Sequence, residues 1–322
     1  MKPITGTTGT RILALGAYQP SRVVTNHELA QSLDTSDEWI RSRVGIVSRR
    51  IAGPDETVAD MAVAAGGKAL AASGLSPEDI ELVIVATCTP ESTIPNVAAQ
   101  VAYRLGTGVP GAYDLNAGCA GFCYGLATAS DAIRAGSARQ VLVIGAEKLS
   151  AWVDWTDRNT CVLFGDGAGA AVVGPVTGPD DRSGIGPVVW GSAGEHAERI
   201  RIPDRRSLIT QDGSRVYWWA TTELPAVATQ ACRAAGLAPH DLVAFVPHQA
   251  NLRIIEAIAR KIGAPQAIVA DDIIEAGNTS AASIPLALSR LVDSGRVPRG
   301  GPALLLGFGA GLSFAAQVVA IP

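Results

Sequence analysis

The sequence has 322 residues, 48% of them hydrophobic and 17% charged, and a formal net charge of −4. That length and apolar share can fill one large core or two closely packed halves, and they exclude a disordered chain. The small negative charge argues against a general nucleic-acid binder, and no apolar run approaches the ~20 residues of a membrane span.

At the N-terminus, Met-Lys-Pro-Ile-Thr-Gly-Thr-Thr-Gly-Thr lacks the apolar stretch of a secretory signal, so a soluble, cytoplasmic protein is expected. Five cysteines, at positions 88, 119, 123, 161 and 232, form no Cys-x-x-Cys pair, which suggests neither a disulfide framework nor a metal site. Capping residues at Ser36-Asp37-Glu38, Asp55-Glu56-Thr57 and Ser76-Pro77-Glu78 open predicted helices. A strand-like run at residues 82–86 precedes a helical pattern at 97–105. A second run, 112–115, leads into Asn116-Ala117-Gly118-Cys119-Ala120-Gly121-Phe122, a helical stretch to Gly136, and an apolar strand at 141–145. Phe164-Gly165-Asp166-Gly167-Ala168-Gly169-Ala170 satisfies Gly-x-Gly-x-x-Ala, but strand-like residues follow it, so it predicts a tight turn between strands rather than a dinucleotide site. Further strands are predicted at 242–246 and 303–307, with helices at 252–262 and from Asn278 to Gly295. This alternation reads as α/β.

The chain also repeats itself at long range. Gly136 lies 17 positions after Cys119 and Gly295 lies 17 positions after Asn278; each stretch follows a small-residue pair, and each leads to an apolar strand ending in glycine. Two duplicated α/β halves are predicted, residues 1–176 and 177–322, with the boundary in the Gly/Pro/Asp-rich residues 174–186. Face-to-face packing of such halves would bring the Cys119 and Asn278 junctions together, with His248 at the carboxyl end of the 242–246 strand beside them.

Singly, each residue has a plain explanation: a buried thiol, a turn histidine, a helix-capping asparagine. Together, at matching strand-to-helix junctions, they point to a nucleophile with two hydrogen-bond donors. The helix N-terminus after Cys119 predicts a lowered thiol pKa, and Gly118 and Gly121 leave room for a substrate carbonyl.

Gly118-Cys119-Ala120-Gly121-Phe122, His248-Gln249-Ala250-Asn251 and Gly277-Asn278-Thr279-Ser280-Ala281-Ala282-Ser283 resemble the signature segments of the β-ketoacyl-ACP synthase III family, in the thiolase-like superfamily. The likeness runs nearly end to end, through Thr35-Ser36-Asp37-Glu38-Trp39-Ile40, Phe164-Gly165-Asp166-Gly167-Ala168-Gly169 and Phe308-Gly309-Ala310-Gly311. It implies a thiolase-like α/β fold, with the two halves packed into a layered αβαβα core. It further implies that Cys119 takes an acyl-CoA primer and that the acyl-enzyme condenses with malonyl-ACP, with loss of carbon dioxide, to initiate type II fatty acid synthesis. His248 and Asn278 would hold the enolate, the N–H groups of Cys119 and the Ala310 loop the oxyanion, and Phe308 would lie against the cysteine.

By the same resemblance, Trp39 and Arg43 would contact the CoA adenine and Arg158 the CoA. Arg253, Arg260 and Lys261 would dock the acidic carrier protein, and Ile94 would reach the acyl pocket of a homodimer partner. No metal or resident cofactor is implied, since the CoA thioester is a substrate. Two features depart from the family pattern: Trp218 stands where a basic residue is usual, and the stretch 194–213, with Arg199, Arg201, Arg205 and Arg206, is short. The alternative is a pathway-specific relative that primes a polyketide or transfers an acyl group to oxygen or nitrogen. A non-catalytic partner subunit is disfavoured by the complete Cys-His-Asn set. A degradative thiolase is disfavoured because the C-terminal Gly-rich loop holds no second cysteine.

Overall fold

The computed structural model describes residues 6–178 and 184–322. Ten of the described strands form two five-stranded sheets. The first runs Thr10–Tyr18, Asp166–Pro175, Val141–Lys148, Leu82–Ala86, Gly111–Leu115. The second runs Val189–Ser192, Ser313–Ala320, Pro302–Gly309, Ala244–Pro247, Ile268–Val269. Taken in that order, both sheets show two antiparallel pairings followed by two parallel ones. The order of strands along the chain also corresponds, so one topology occurs twice. The expected boundary stretch, residues 174–186, lies partly outside the described residues, as do the first five residues of the N-terminal segment.

Burial on both faces explains the uninterrupted apolar runs. Helices Gly121–Arg134 and Ser283–Asp293 lie between the sheets: Phe122, Leu126, Ile284 and Leu288 share one buried cluster with Val143 of the first sheet and Leu305 of the second. Helices Val58–Ser73 and Val97–Leu105 cover the outer face of the first sheet, packing Met61 and Val101 on Val83 and Leu142. Helices Gly213–Ala234 and Leu252–Ile262 cover the second, with Leu224 and Ile258 on Phe245 and Leu304. Leu304 and Leu305 thus face opposite layers, as a strand's period of two requires. Each such fully buried side chain contributes roughly 1.5–3 kcal/mol of apolar transfer energy. The result is a five-layered αβαβα molecule.

Local signals set the helix limits. Asn96 accepts the Ala99 N–H at 2.8 Å, and Asn251 accepts the Arg253 N–H at 2.9 Å, so Val97–Leu105 and Leu252–Ile262 begin where the sequence predicts. Two expectations need correction. Ser76 opens only the single 3-10 turn Pro77–Asp79, because the next strand starts at Leu82. Residues 166–169 form no turn; they belong to the central strand Asp166–Pro175. Their glycines serve packing instead, since a Cβ on Gly169 would lie 2.7 Å from both Leu286 N and Pro285 Cβ of the buried helix Ser283–Asp293. Among the described residues, no helix is long and apolar enough to cross a membrane.

Candidate active site

Cys119 occupies the turn between strand Gly111–Leu115 and helix Gly121–Arg134. Gly118 enters that turn at φ +51°, a conformation glycine takes without steric cost. The other half closes on the sulfur through Gly309, where a Cβ would lie 2.7 Å from Cys119 Cβ and 2.9 Å from Sγ. Only a glycine lets the two backbones approach so closely, and the approach aims the N–H groups of Cys119 and Ala310 at the sulfur.

Burial pushes the Cys119 thiol up to about 12, against the pull of the Ser280 side chain and of those two N–H groups, while the charge of Glu147 adds to the rise. This corrects the expectation of a lowered thiol pKa. The helix proper starts at Gly121, beyond the cysteine, and desolvation outweighs its donors, so the resting sulfur carries its proton at neutral pH.

His248 follows strand Ala244–Pro247, its N–H donating to the Leu306 carbonyl at 2.8 Å. Its ring meets Phe308 edge-on, with centroids 5.2 Å apart. Nδ1 lies 2.7 Å from Ser283 Oγ, and the Gln249 N–H donates to the same oxygen at 3.3 Å. The Gln249 N–H occupies one lone pair of Ser283 Oγ, and in the tautomer in which the hydroxyl donates to Nδ1 the ring proton stands on Nε2. Burial lowers the His248 pKa to about 3, so the imidazole is a neutral donor. Asn278 is anchored by its N–H to the Leu163 carbonyl at 2.8 Å and by the Gly165 N–H to its own carbonyl at 3.0 Å. Its Oδ1 accepts the Ser280 N–H at 2.9 Å, which leaves the amide NH2 as the free end of the side chain.

Cys119, His248, Asn278, Phe308 and Ala310 line one cavity of about 1610 Å³, together with Trp39, Arg43, Arg158 and Arg253. The guanidinium groups of Arg158 and Arg43 stand 5.2 and 5.7 Å from the Trp39 ring centroid, and Arg158 Nη1 donates to the Asp34 carbonyl at 2.7 Å. Arg253 stands 5.6 Å from the Tyr217 ring. The hairpin of Ile200–Arg201 and Thr210–Gln211, from the short stretch noted in the sequence, forms part of the cavity wall.

Three expected site residues lie away from the cavity lining. Arg260 faces Glu256 at 3.9 Å, Lys261 Nζ donates to the Thr221 carbonyl at 2.7 Å, and Ile94 is exposed near the edge strand of the first sheet. Trp218 is exposed on a shallow groove with Glu195 and His196. Of the cationic residues in the short stretch, Arg205 is tied to the carbonyls of Pro90 and Glu91 at 3.2 and 3.0 Å.

The sequence reading missed Glu147 and the roles of Ser280, Ser283 and Cys88. Glu147 is fully buried, which keeps its carboxyl above the usual carboxylate range despite hydrogen bonds from Thr89, Cys88 and Ser280. A signal existed: Glu147 lies two residues past Gly145 on an apolar strand, where a solvated acid is out of place.

Sequence and structure comparisons agree with this geometry. A family model described as 3-oxoacyl-[acyl-carrier-protein] synthase III matches residues 113–194, and the model of its C-terminal region matches residues 232–321. β-Ketoacyl-[acyl-carrier-protein] synthase III 4 of Streptomyces coelicolor is 59% identical, covering 98% of this chain and 99% of its own. The mycobacterial β-ketoacyl-[acyl-carrier-protein] synthase III of Mycobacterium avium is 48% identical over 100% of this chain and 99% of its own. Among solved structures, the priming β-ketosynthase of the R1128 polyketide biosynthetic pathway superposes with a TM-score of 0.95 at 45% identity, covering 100% of this chain and 98% of the other. The 3-oxoacyl-[acyl-carrier-protein] synthase III of Aquifex aeolicus gives 0.93 at 42% identity, covering 97% and 100%. With two family models and near-full-length relatives in agreement, and a half-buried thiol beside a neutral histidine and an oriented amide, the chain belongs to the β-ketoacyl-[acyl-carrier-protein] synthase III family of condensing acyltransferases.

Proposed function

We propose that Cys119 takes the acyl group of an acyl-CoA primer, and that the acyl-enzyme condenses with malonyl-ACP to release carbon dioxide and β-ketoacyl-ACP. The observation that carries this reading is the convergence of the Cys119 sulfur, a neutral His248 and the Asn278 amide on one cavity. Sulfur attack on a thioester puts negative charge on the carbonyl oxygen, within reach of the Cys119 and Ala310 N–H groups that already point at the sulfur. After acyl transfer, decarboxylation of the malonyl group leaves an enolate. Two neutral donors, His248 Nε2–H and Asn278 Nδ2–H, suit its oxygen, because neither surrenders a proton that would quench the carbanion. The carbanion then attacks the acyl carbon on Cys119.

Trp39, flanked by Arg43 and Arg158, suits a flat adenine beside phosphates. For the acidic carrier, Arg253 is the strongest candidate contact: it is exposed at the cavity mouth, whereas Lys261 and Arg260 already have protein partners. A homodimer is supported by edge strand Gly111–Leu115, which has a neighbour on one side only among the described residues, beside the exposed Ile94, Tyr103 and Val109. The same chemistry also serves polyketide priming, the role stated for the R1128 relative. Turnover with fatty-acid against polyketide carrier proteins separates these pathways.

Mass spectrometry of Cys119 after incubation with a panel of acyl-CoAs tests the first step. His248→Ala should still acylate but lose malonyl decarboxylation by about 10²–10³-fold, as for removal of an oxyanion donor. Normal product formation by that variant sinks the assignment.

A further inference from the structure

Between the segments that carry His248 and Asn278 stands a side-chain amide to which the condensing chemistry gives no role. Gln249 is 1% exposed and lies behind the cavity lining rather than in it. Its Nε2 donates to the Pro247 carbonyl at 2.7 Å and to the Ala270 carbonyl at 3.2 Å, and its Oε1 accepts the Ile273 N–H at 3.0 Å. These partners fix the orientation of the amide, since the reverse would set its oxygen against two carbonyls and its NH2 against an N–H.

Each bond answers a local need. Strand Ala244–Pro247 pairs with Ile268–Val269 through Ala244 and Phe245, and the Ala270 N–H then donates to the Phe245 carbonyl at 2.9 Å. Beyond that point the Gln249 NH2 bridges the carbonyls of the two parting strands. Helix Ile273–Ala276 opens at Asp272, whose side chain makes no capping bond and pairs with Arg290 instead, so the acceptor for the Ile273 N–H comes from Gln249. That helix is a single turn, closed by the Gly277 N–H on the Ile273 carbonyl at 3.0 Å, and Asn278 follows directly. The main chain of Gln249 serves the other donor: its N–H donates to Ser283 Oγ at 3.3 Å, and that oxygen lies 2.7 Å from His248 Nδ1. One residue thus holds the hydroxyl behind the His248 ring with its backbone and the turn leading to Asn278 with its side chain. The partner groups are buried, so removal of the amide leaves them without water to replace it.

We propose that Gln249 sets the spacing of the two enolate donors, so that His248 and Asn278 meet one oxygen only while Gln249 ties their segments together. This rests on the reading that His248 and Asn278 hold the malonyl-derived enolate. Acylation belongs to other segments: Cys119 stands in the turn before helix Gly121–Arg134, and Ala310 follows the end of strand Pro302–Gly309. Loss of Gln249 therefore separates the two half-reactions, sparing the first and slowing the second. Gln249 touches no reacting atom, so it is a positioning residue that acts through His248 and Asn278.

The test measures the half-reactions of the full-length enzyme one at a time. Single-turnover acylation by acetyl-CoA is followed by intact mass; the acyl-enzyme is then mixed with malonyl-ACP over a range of concentrations, and β-ketoacyl-ACP is counted per acylated cysteine. Gln249→Met keeps the reach of the side chain without its hydrogen bonds. It should acylate within about threefold of wild type and condense at least about 10²-fold more slowly at saturating malonyl-ACP, with the half-saturating concentration unchanged within about threefold. Counting per acylated cysteine removes any loss of folded protein from the comparison. A merely structural role therefore predicts either normal condensation per acyl group or equal slowing of both steps, and either result overturns the proposal. Gln249→Asn keeps an amide one methylene too short for the span; it should show the same split, and it decides alone if Gln249→Met fails to fold. His248→Ala in the same assay isolates the premise. If it condenses normally, the enolate reading falls and the role of Gln249 with it, whereas slow condensation by His248→Ala beside normal condensation by Gln249→Met overturns the role of Gln249 alone.

Discussion

Gly309→Ala puts the closeness of the two halves at Cys119 to a direct test. The added methyl would stand 2.7 Å from Cys119 Cβ, 2.9 Å from Sγ and 3.0 Å from the Cys119 N. Carbon atoms settle at ~3.5–4.0 Å, so the cysteine or the strand must give way by about 0.8 Å or more. The Gly309 φ of 175° is ordinary extended backbone, and no strain arises from the dihedral itself. Overpacking of this kind costs about 1–3 kcal/mol of stability. The larger effect falls on chemistry: a displacement near 1 Å costs about 10²-fold in rate, and the Cys119 and Ala310 N–H groups would no longer share a target. Quench-flow acylation read by intact mass gives the rate, and chemical denaturation gives the stability. Gly67→Ala is the control, because Gly67 lies inside helix Val58–Ser73 with its nearest neighbour, Leu105 Cδ2, 3.6 Å from the added Cβ. That variant should gain about 0.5–1 kcal/mol and keep full activity. Acylation by Gly309→Ala within about threefold of wild type would refute the steric argument.

Arg253→Glu should lower carrier-dependent kcat/KM about tenfold at low salt and flatten its salt dependence, with a smaller effect from Arg260→Glu, whose partner Glu256 already offsets its charge. Equal effects would move the docking surface off the cavity mouth. The buried histidine predicts a pH effect on stability. Its folded pKa, about 3, lies below its ordinary value of 6.5. Between those values the unfolded chain binds a proton that the folded protein refuses, so stability falls as pH falls, by up to about 1.4 kcal/mol per unit, and is unaffected above the window. Equilibrium unfolding of wild type and His248→Ala should therefore give a difference that shrinks as the pH drops from about 7 to about 5. A constant difference would mean that His248 protonates in the folded state.

Much of the fold was legible because its signals are local. Val97–Leu105 and Leu252–Ile262 each begin with an asparagine cap and stop at a glycine, and the buried strands are bare apolar runs. The polar trio was legible because the duplicated topology puts Cys119 and Asn278 at matching junctions. What escaped depends on contacts made across the chain. The glycines of residues 166–169 mimic a loop motif, yet they serve Pro285 and Leu286, more than a hundred positions on. The protonation of Cys119 is set by burial beneath residues 309–310, which no local pattern conveys. Glu147 was overlooked because its donors, Thr87, Thr89 and Ser280, are spread over both halves.

The meeting of Gly309 with Cys119 also bears on how the protein is made. During synthesis the thiol emerges long before His248, Asn278, Ser280 and Ala310, and strand Pro302–Gly309 is next to last in the chain. Until that strand inserts beside Ala244–Pro247, the sulfur lacks both the close approach of Gly309 and the backbone donor from Ala310. A nascent or half-folded chain therefore carries its cysteine without the assembled cavity that places a thioester carbonyl against the sulfur. The complete site appears only when the longest-range contacts close, which are the slowest to form.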